Sequence, residues 1–327
     1  MEPGPASPQA TVDSTASVAA ELRRGLEMLA QSSPNLEERI QAVAALKAID
    51  GETKRADAEQ ASARRDLACW GYNGWGQAPP AGVDGDFVAV VAGDWHSLAL
   101  RRDGSVACWG RNHRGQAPPA GVDGDFVAIV AGERHSLALR HDGTIAYWGW
   151  NGTNGTNQAP PAGGFVAIAA GSIHSLALRR DGTIACWGRN VYGQAPPGGV
   201  DGDFVAIAAG GWHSLALRRD GSIACWGWNN NDQAPPAGVD GNFVAIAAGW
   251  RHSIALRRDG GIACWGSNHH GEAPPDGVDG DFVAIAAGWR HSLALRRDGG
   301  ITCWGGNADG QAPPGGVLGP FAAQVEL

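Results

Sequence analysis

The sequence predicts an all-β fold, a seven-bladed β-propeller of mainly three-stranded blades preceded by a short α-helical segment. Three observations carry that prediction. The Trp of a C-W-G-type triplet recurs at Trp70, Trp109, Trp148, Trp187, Trp226, Trp265 and Trp304, each step being 39 residues. A Phe opens the same unit at Phe87, Phe126, Phe165, Phe204, Phe243, Phe282 and Phe321, in the same step. Gly makes up 50 of the 327 residues, evenly spaced, which implies many turns and hence many short strands. A fixed period in this range marks a repeat architecture, whose units bury their faces against one another.

Each unit divides into the same elements. F-V-A-I-A-A-G is a β-favouring run ended by Gly. H-S-L-A-L alternates, so His and both Leu share one face while Ser and Ala share the other. R-R-D-G is a hairpin turn, because Asp-Gly supplies the positive φ that a tight turn needs. I-A-C-W-G is the third strand, and the remainder, with its Gly and Pro-Pro, is loop. Three strands on short connections make an antiparallel sheet, and radial repetition of such sheets leaves only short edges exposed. The chain enters the period on a third strand, 67–71, and leaves it on a first strand, 321–327. These are the two pieces a composite closing blade requires. Its middle strand would fall near 57–61, where Asp-Ala-Glu-Gln-Ala stands in place of His-Ser-Leu-Ala-Leu. That blade is therefore expected to be incomplete, or to be completed by the helical segment.

Ahead of the propeller, assigned to 67–327, residues 1–17 are rich in Pro, Ser and Ala and read as a disordered tail. Residues 18–66 read as a helical hairpin and charged linker. Val18, Leu22, Leu26 and Leu29 have helical spacing, and Pro34 opens a second helix with Ile40, Val43, Leu46 and Ile49 on one face. Each helix buries one stripe only, so both are expected to pack on the propeller or on another chain.

The formal net charge of −8 argues against a general affinity for nucleic-acid backbone. No apolar h-region opens the chain, and no apolar run approaches the roughly 18 residues of a membrane helix. The six Cys share one repeat position, taken by Tyr147 in the remaining unit, and so read as small buried hydrophobes rather than a disulfide framework. Reduced thiols suit a cytoplasmic or nuclear compartment.

The string A-A-G-x-x-H-S-L-A-L-x-x-D-G-x-I-x-x-W-G-x-N-x-x-G-Q resembles the repeat of the regulator-of-chromosome-condensation family, over about four-fifths of the chain. The resemblance implies a propeller. Its functional implications diverge, since the family includes guanine-nucleotide exchange factors for small GTPases, chromatin and ubiquitin-ligase modules, a plant ultraviolet receptor and bacterial binding proteins. Repeats of the nuclear exchange factor are longer, with four strands to a blade. The compact unit here is more similar to the secreted propeller that inhibits β-lactamases, although no export signal is evident.

The repeated polar residues read as scaffold. Equivalent histidines in neighbouring blades lie on the order of 10 Å apart, against a Zn–N bond of about 2 Å. A ring of single histidines therefore cannot chelate, and each is expected to hold a turn by hydrogen bonds. The twin arginines are expected to interleave with Asp on one solvated rim, for example Arg218 near Asp201, Asp203 or Asp240. The N-G-T triplets at Asn151 and Asn154 match glycosylation acceptors but read as a Gly/Asn loop. No unrepeated Ser/His/Asp set, Cys/His pair or phosphate-cradling loop stands out. The reading is of a non-enzymatic protein with no catalytic residues, no metal site and no cofactor.

Positions that differ between repeats are the informative ones. Seven tryptophans fall outside the triplet: Trp75, Trp95, Trp150, Trp212, Trp228, Trp250 and Trp289. Each lies just before the His or just after C-W-G, in loops expected on one face. Arg134, Tyr192, Arg251, His269 and Arg290 join them there, as do Tyr72 and His113. Trp, Tyr and Arg are enriched at interface hot spots, and aromatics contribute large contact areas. The expected function is a protein–protein interaction module with a Trp-rich face, the partner being a protein rather than a membrane or nucleic acid. Exchange-factor activity and enzyme inhibition of the β-lactamase-inhibitor type are the alternatives.

Overall fold

Six of the repeats form six separate three-stranded antiparallel sheets, each in chain order. The computed structural model describes residues 67–150 and 160–317. The tail, helical hairpin and linker expected over 1–66, the Asn151 and Asn154 triplets, and the closing strand expected over 321–327 lie outside the described residues. Residues 64–327 make up one compact unit.

In every blade the strand opened by Phe lies innermost. These inner strands are Phe87–Ala92, Phe126–Ala131, Phe165–Ala170, Phe204–Ala209, Phe243–Ala248 and Phe282–Ala287. Their Ala-Gly ends line a central channel. The middle strands (His96–Arg101 in the first blade, His213–Arg218 in the fourth) carry the His-Ser-Leu-Ala-Leu alternation. Both faces of these strands are buried, because a propeller covers each sheet with a neighbour on either side. The first core cluster shows where the core sits. Leu98, Leu100, Val106 and Cys108 of the first blade close over Phe126, Ile129 and Ala138 of the second. Leu98, Leu137, Leu176, Leu215 and Ile254 are wholly buried, each contributing about 1.5–3 kcal/mol of hydrophobic stabilisation.

The expected turn chemistry is present. In the first blade Asp103 Oδ1 accepts from Ser105 N at 2.9 Å and from Ser105 Oγ at 2.7 Å, while Gly104 takes φ +83°. A one-residue register shift recurs at the start of all six inner strands, as between Phe87 and Ala89. This bulge bends each strand. The outer strand ends the sheet, but its edge is clipped: Val106 and Val122 exchange two main-chain hydrogen bonds of 2.9 Å. The segment expected to be wholly loop thus keeps one bridged residue.

The repeated histidines join blades rather than merely holding turns within them. His213 Nε2 of the fourth blade lies 2.8 Å from Ser253 Oγ of the fifth. Ser253 Oγ donates to the main-chain oxygen of Gln233 at 2.9 Å, and Trp265 Nε1 donates to that same oxygen at 3.0 Å. A carbonyl can only accept, and the hydroxyl has one proton, so Nε2 must be the protonated ring nitrogen. The His–Ser contact recurs at His96–Ser136 (2.8 Å), His135–Ser175 (3.0 Å), His174–Ser214 (3.0 Å) and His252–Ser292 (2.9 Å).

Glycine makes the close approach feasible. A Cβ on Gly249 would stand 2.5 Å from Gly288 O of the next blade and collide with the ring of His252. A Cβ on Gly93, Gly132, Gly171 or Gly210 would meet the next blade's glycine oxygen at the same 2.5 Å. Gly249→Ala is therefore expected to destabilise by about 1–3 kcal/mol, measured by urea unfolding; an unchanged unfolding midpoint would contradict the contact.

Burial holds the rings neutral. It pushes His96, His174 and His213 down to about 3, and His135, His252 and His291 down to about 4, from an ordinary 6.5. Below the unfolded value the unfolded chain binds more protons than the native one. Stability is thus fully present above about pH 6.5 and lost as pH falls toward 4 and 3, with up to about 1.4 kcal/mol per pH unit for each ring. Urea midpoints should fall steeply across that window, and His213→Gln should flatten the slope. A pH-independent midpoint there would refute the neutral relay.

Candidate functional site

The loop before each His and the loop after each outer strand emerge at the same end of the blade. Main-chain hydrogen bonds tie them together: Arg111 N to Trp95 O, Trp150 N to Arg134 O, Trp228 N to Trp212 O and Ser267 N to Arg251 O, all 2.8–2.9 Å. The second loop is rigid in its own right. Asn112 Oδ1 accepts from Ala117 N at 2.8 Å, Gln116 Oε1 accepts from Arg114 N at 2.9 Å, and the other described loops repeat the pattern. Sequence-variable side chains are therefore presented on a fixed frame.

The extra tryptophans gather into an aromatic arc around one mouth of the channel. Its contacts run Tyr72–Trp95 (6.1 Å between ring centroids), Trp95–Trp289 (6.5 Å), Trp289–Trp250 (5.9 Å), Trp250–Trp212 (6.1 Å), Trp212–Tyr192 (5.6 Å) and Tyr192–Trp228 (6.2 Å). All but the last are edge-to-face, the arrangement aromatic quadrupoles favour. The Trp95–Trp289 contact joins the first and sixth blades. Trp75 stands outside the arc against His113 at 5.2 Å. Trp150 lies under the Arg134 guanidinium, 5.9 Å from its carbon. His269 is exposed in its loop. Trp75 and Trp289 are the most exposed of these tryptophans, at 42% and 49%, while Trp95, Trp212, Trp228 and Trp250 are half-buried.

The arc is broken where the residues before His are Glu133-Arg134 and Ser172-Ile173. There the channel wall turns polar: Ser172 Oγ donates to Glu133 Oε2 at 2.6 Å, and Glu133 Oε1 pairs with Arg134 at 2.9 Å. Asp94 lines the same channel. Water reaches it, yet the surrounding protein and then the Glu133 charge push its carboxyl up to about 7. The channel and the cleft continuing from it enclose about 1100 Å³.

Ser267 stands at a position that differs between repeats, yet it is buried and donates to Glu272 Oε1 at 3.0 Å, so it belongs to the loop's frame. One sequence expectation needs correction at the rim. On the opposite end it is the second arginine of each pair that meets Asp. Arg219 pairs with Asp203 at 3.1 Å, Arg102 with Asp86 at 2.9 Å and Arg297 with Asp281 at 2.9 Å. Arg218 ends the middle strand opposite Phe204, so its guanidinium lies over that ring at 5.5 Å instead. Sequence reasoning missed Asp94 and Glu133. The signal was available, since they are the two acids in the dipeptides that precede His.

Residues 87–116, 165–194, 204–233, 243–272 and 282–311 match the regulator of chromosome condensation (RCC1) repeat. The chain carries five RCC1 repeats. A structure of yeast RCC1 (Prp20) bound to Kap60 shares its fold with a TM-score of 0.65, at 21% identity over 84% of this chain and 85% of that one. Prp20p from Saccharomyces cerevisiae, in work on its binding to Gsp1p and histones, aligns at 0.62 and 23% identity, over 79% and 84% of the two chains. The CRINKLY WD40 ectodomain of the Arabidopsis thaliana receptor kinase ACR4 aligns at 0.58 and 24% identity, over 76% and 89%. At such identities the likeness establishes the RCC1-type propeller fold. No curated protein matches the chain by sequence. Among the described residues no helix is long and apolar enough to cross a membrane.

Packing within the arc predicts unequal costs of truncation. Trp250 is half-buried between two aromatic neighbours, so Trp250→Ala should cost about 2 kcal/mol and the more exposed Trp289→Ala clearly less. Urea-unfolding free energies of the two variants check this, and equal costs would contradict it.

Proposed function

We propose that this protein is a non-enzymatic binding module that docks a protein partner on its Trp-rich end, on a propeller of seven blade positions. One observation supports the docking reading above others: the non-repeated aromatic and arginine side chains converge on one rigid end, while the repeated residues are consumed in holding blades together. Trp, Tyr and Arg there are the types that dominate interface energetics. Trp75, Trp95, Trp212, Trp228, Trp250, Trp289 and Tyr192 form the aromatic part. Arg134, Trp150, Arg251, His269 and Arg290 are the flanking contacts.

A seventh position is supported by residues 67–71. Trp70 Nε1 donates to Gln311 O of the loop after the sixth blade at 3.4 Å. Gln77 O in turn accepts from Ser97 Oγ and Trp109 Nε1 of the first blade, both at 2.9 Å. This is the blade-to-blade bond repeated on either side of one further unit. The described cysteines are free, four of their thiols being pushed up to about 12 by burial. That supports work in a reducing compartment, the cytoplasm or nucleus.

The test is capture of a partner by the tagged protein from native lysate, followed by direct binding of that partner to a Trp75→Ala/Trp289→Ala variant. At least about tenfold weaker binding is expected, with a near-unchanged melting temperature. Undiminished affinity would overturn the docking end. Acceleration of nucleotide release from a small GTPase would instead assign exchange activity, and nanomolar inhibition of a β-lactamase would assign the inhibitor role.

A further inference from the structure

On the rim, Arg102, Arg219 and Arg297 each pair with an Asp of their own blade, while Arg101, Arg140, Arg179 and Arg218 lie over the inner-strand Phe beside the hairpin's own Asp. At the Trp-rich end, Arg111, Arg189, Arg251 and Arg290 have no carboxylate within ion-pairing distance among the described residues. Each lies over a tryptophan instead. The guanidinium carbon of Arg111 is 4.9 Å from the Trp75 ring, that of Arg189 4.7 Å from Trp212, that of Arg251 5.0 Å from Trp228 and that of Arg290 4.7 Å from Trp289. Stacking leaves the N–H fork in the guanidinium plane, the geometry that takes a carboxylate through two parallel hydrogen bonds. It also restrains a long side chain before any partner arrives, which lowers the entropy lost on binding.

We propose that the segment docking here is acidic: a stretch of the partner carrying Asp and Glu side chains, received by these four arginines, with apolar side chains between them on the tryptophans. The proposal rests on the docking reading above and adds the partner's chemistry. Charge supports it, because in a chain of net charge −8 these four arginines have no ion-pairing carboxylate among the described residues. Complementary charge steers association and selects partners. A single-stranded nucleic acid is disfavoured because Glu133 at the channel and the net charge of −8 oppose phosphate.

The experiment uses the full chain with three labelled probes in fluorescence anisotropy: a peptide alternating Glu and Leu, the matched Gln and Leu peptide, and oligo(dT). The Glu peptide is expected to bind at least about tenfold more tightly than the Gln peptide, with affinity falling as salt shortens the Debye length. Arg111→Gln/Arg189→Gln/Arg251→Gln/Arg290→Gln should abolish that preference. Arg102→Gln/Arg219→Gln/Arg297→Gln on the rim should keep it. The single variants Arg251→Gln and Arg290→Gln, both exposed positions, guard against misfolding and should each weaken the Glu peptide by about threefold. Equal binding of the Glu and Gln peptides, tighter binding of oligo(dT), or equal losses in face and rim variants would each overturn the proposal. If the Trp75→Ala/Trp289→Ala variant releases a captured partner while the fourfold Arg variant holds it, the docking end stands and its acidic specificity falls.

Discussion

The structure depends on a buried hydrogen-bond relay that crosses from blade to blade. An imidazole N–H of one blade meets a serine hydroxyl of the next, which meets a loop carbonyl also held by the next blade's tryptophan. The paired imidazoles and serine hydroxyls are shut away from water, where an unmade bond costs about 1–3 kcal/mol. The relay therefore permits little sliding of one sheet over another. It fixes the protonated nitrogen of each His, the Gly before it and the Ser after it, and so explains why A-G-x-x-H-S returns with so little change. The two intervening positions take no part in the relay, and nearly all the variety before the His lies there.

That division links packing to function. The dipeptide before each His projects from the relay's rigid edge, and the loop after each outer strand is tied to it through the main chain. Substitutions in these places alter what the protein displays without disturbing what holds it together. Asp94-Trp95, Glu133-Arg134, Ser172-Ile173, Gly211-Trp212, Trp250-Arg251 and Trp289-Arg290 occupy one structural slot. Side by side around the channel they form an aromatic stretch and a polar stretch. The end is thus asymmetric although its scaffold is nearly symmetric, as binding a unique partner in one orientation requires.

Much of this was legible in the sequence, because period and turn chemistry are local. The Phe-led strand, the Asp-Gly hairpin, the buried Cys position and the gathering of extra Trp in two loops follow from spacing alone. Contacts between repeats were less legible. His213 and Ser253 lie 40 residues apart, one more than the period, and only the packing of adjacent sheets makes them neighbours. The roles of Arg218 and Arg219 were transposed for a related reason. Which of two adjacent arginines faces a Phe depends on strand register, and register includes a bulge that hydropathy does not reveal. Ser267 and Glu272 form a local exchange: Glu stands where other loops have Gln, and Ser supplies its hydrogen-bond donor.

The paired bonds between Val106 and Val122 and between their equivalents in four other blades, with the single bond from Val83 N to Leu67 O, have a consequence for life in a crowded solution. Six near-identical sheets in one molecule carry six near-identical outer edges. Each edge is a template for strand addition by another copy of the same sequence. A single bridged valine, followed closely by Asp-Gly and preceded by Pro-Pro, occupies the start of the edge without extending it into a further strand. The clip acts as a terminator for sheet growth. A protein so repetitive can thereby remain a discrete particle instead of seeding fibres through its own repeats.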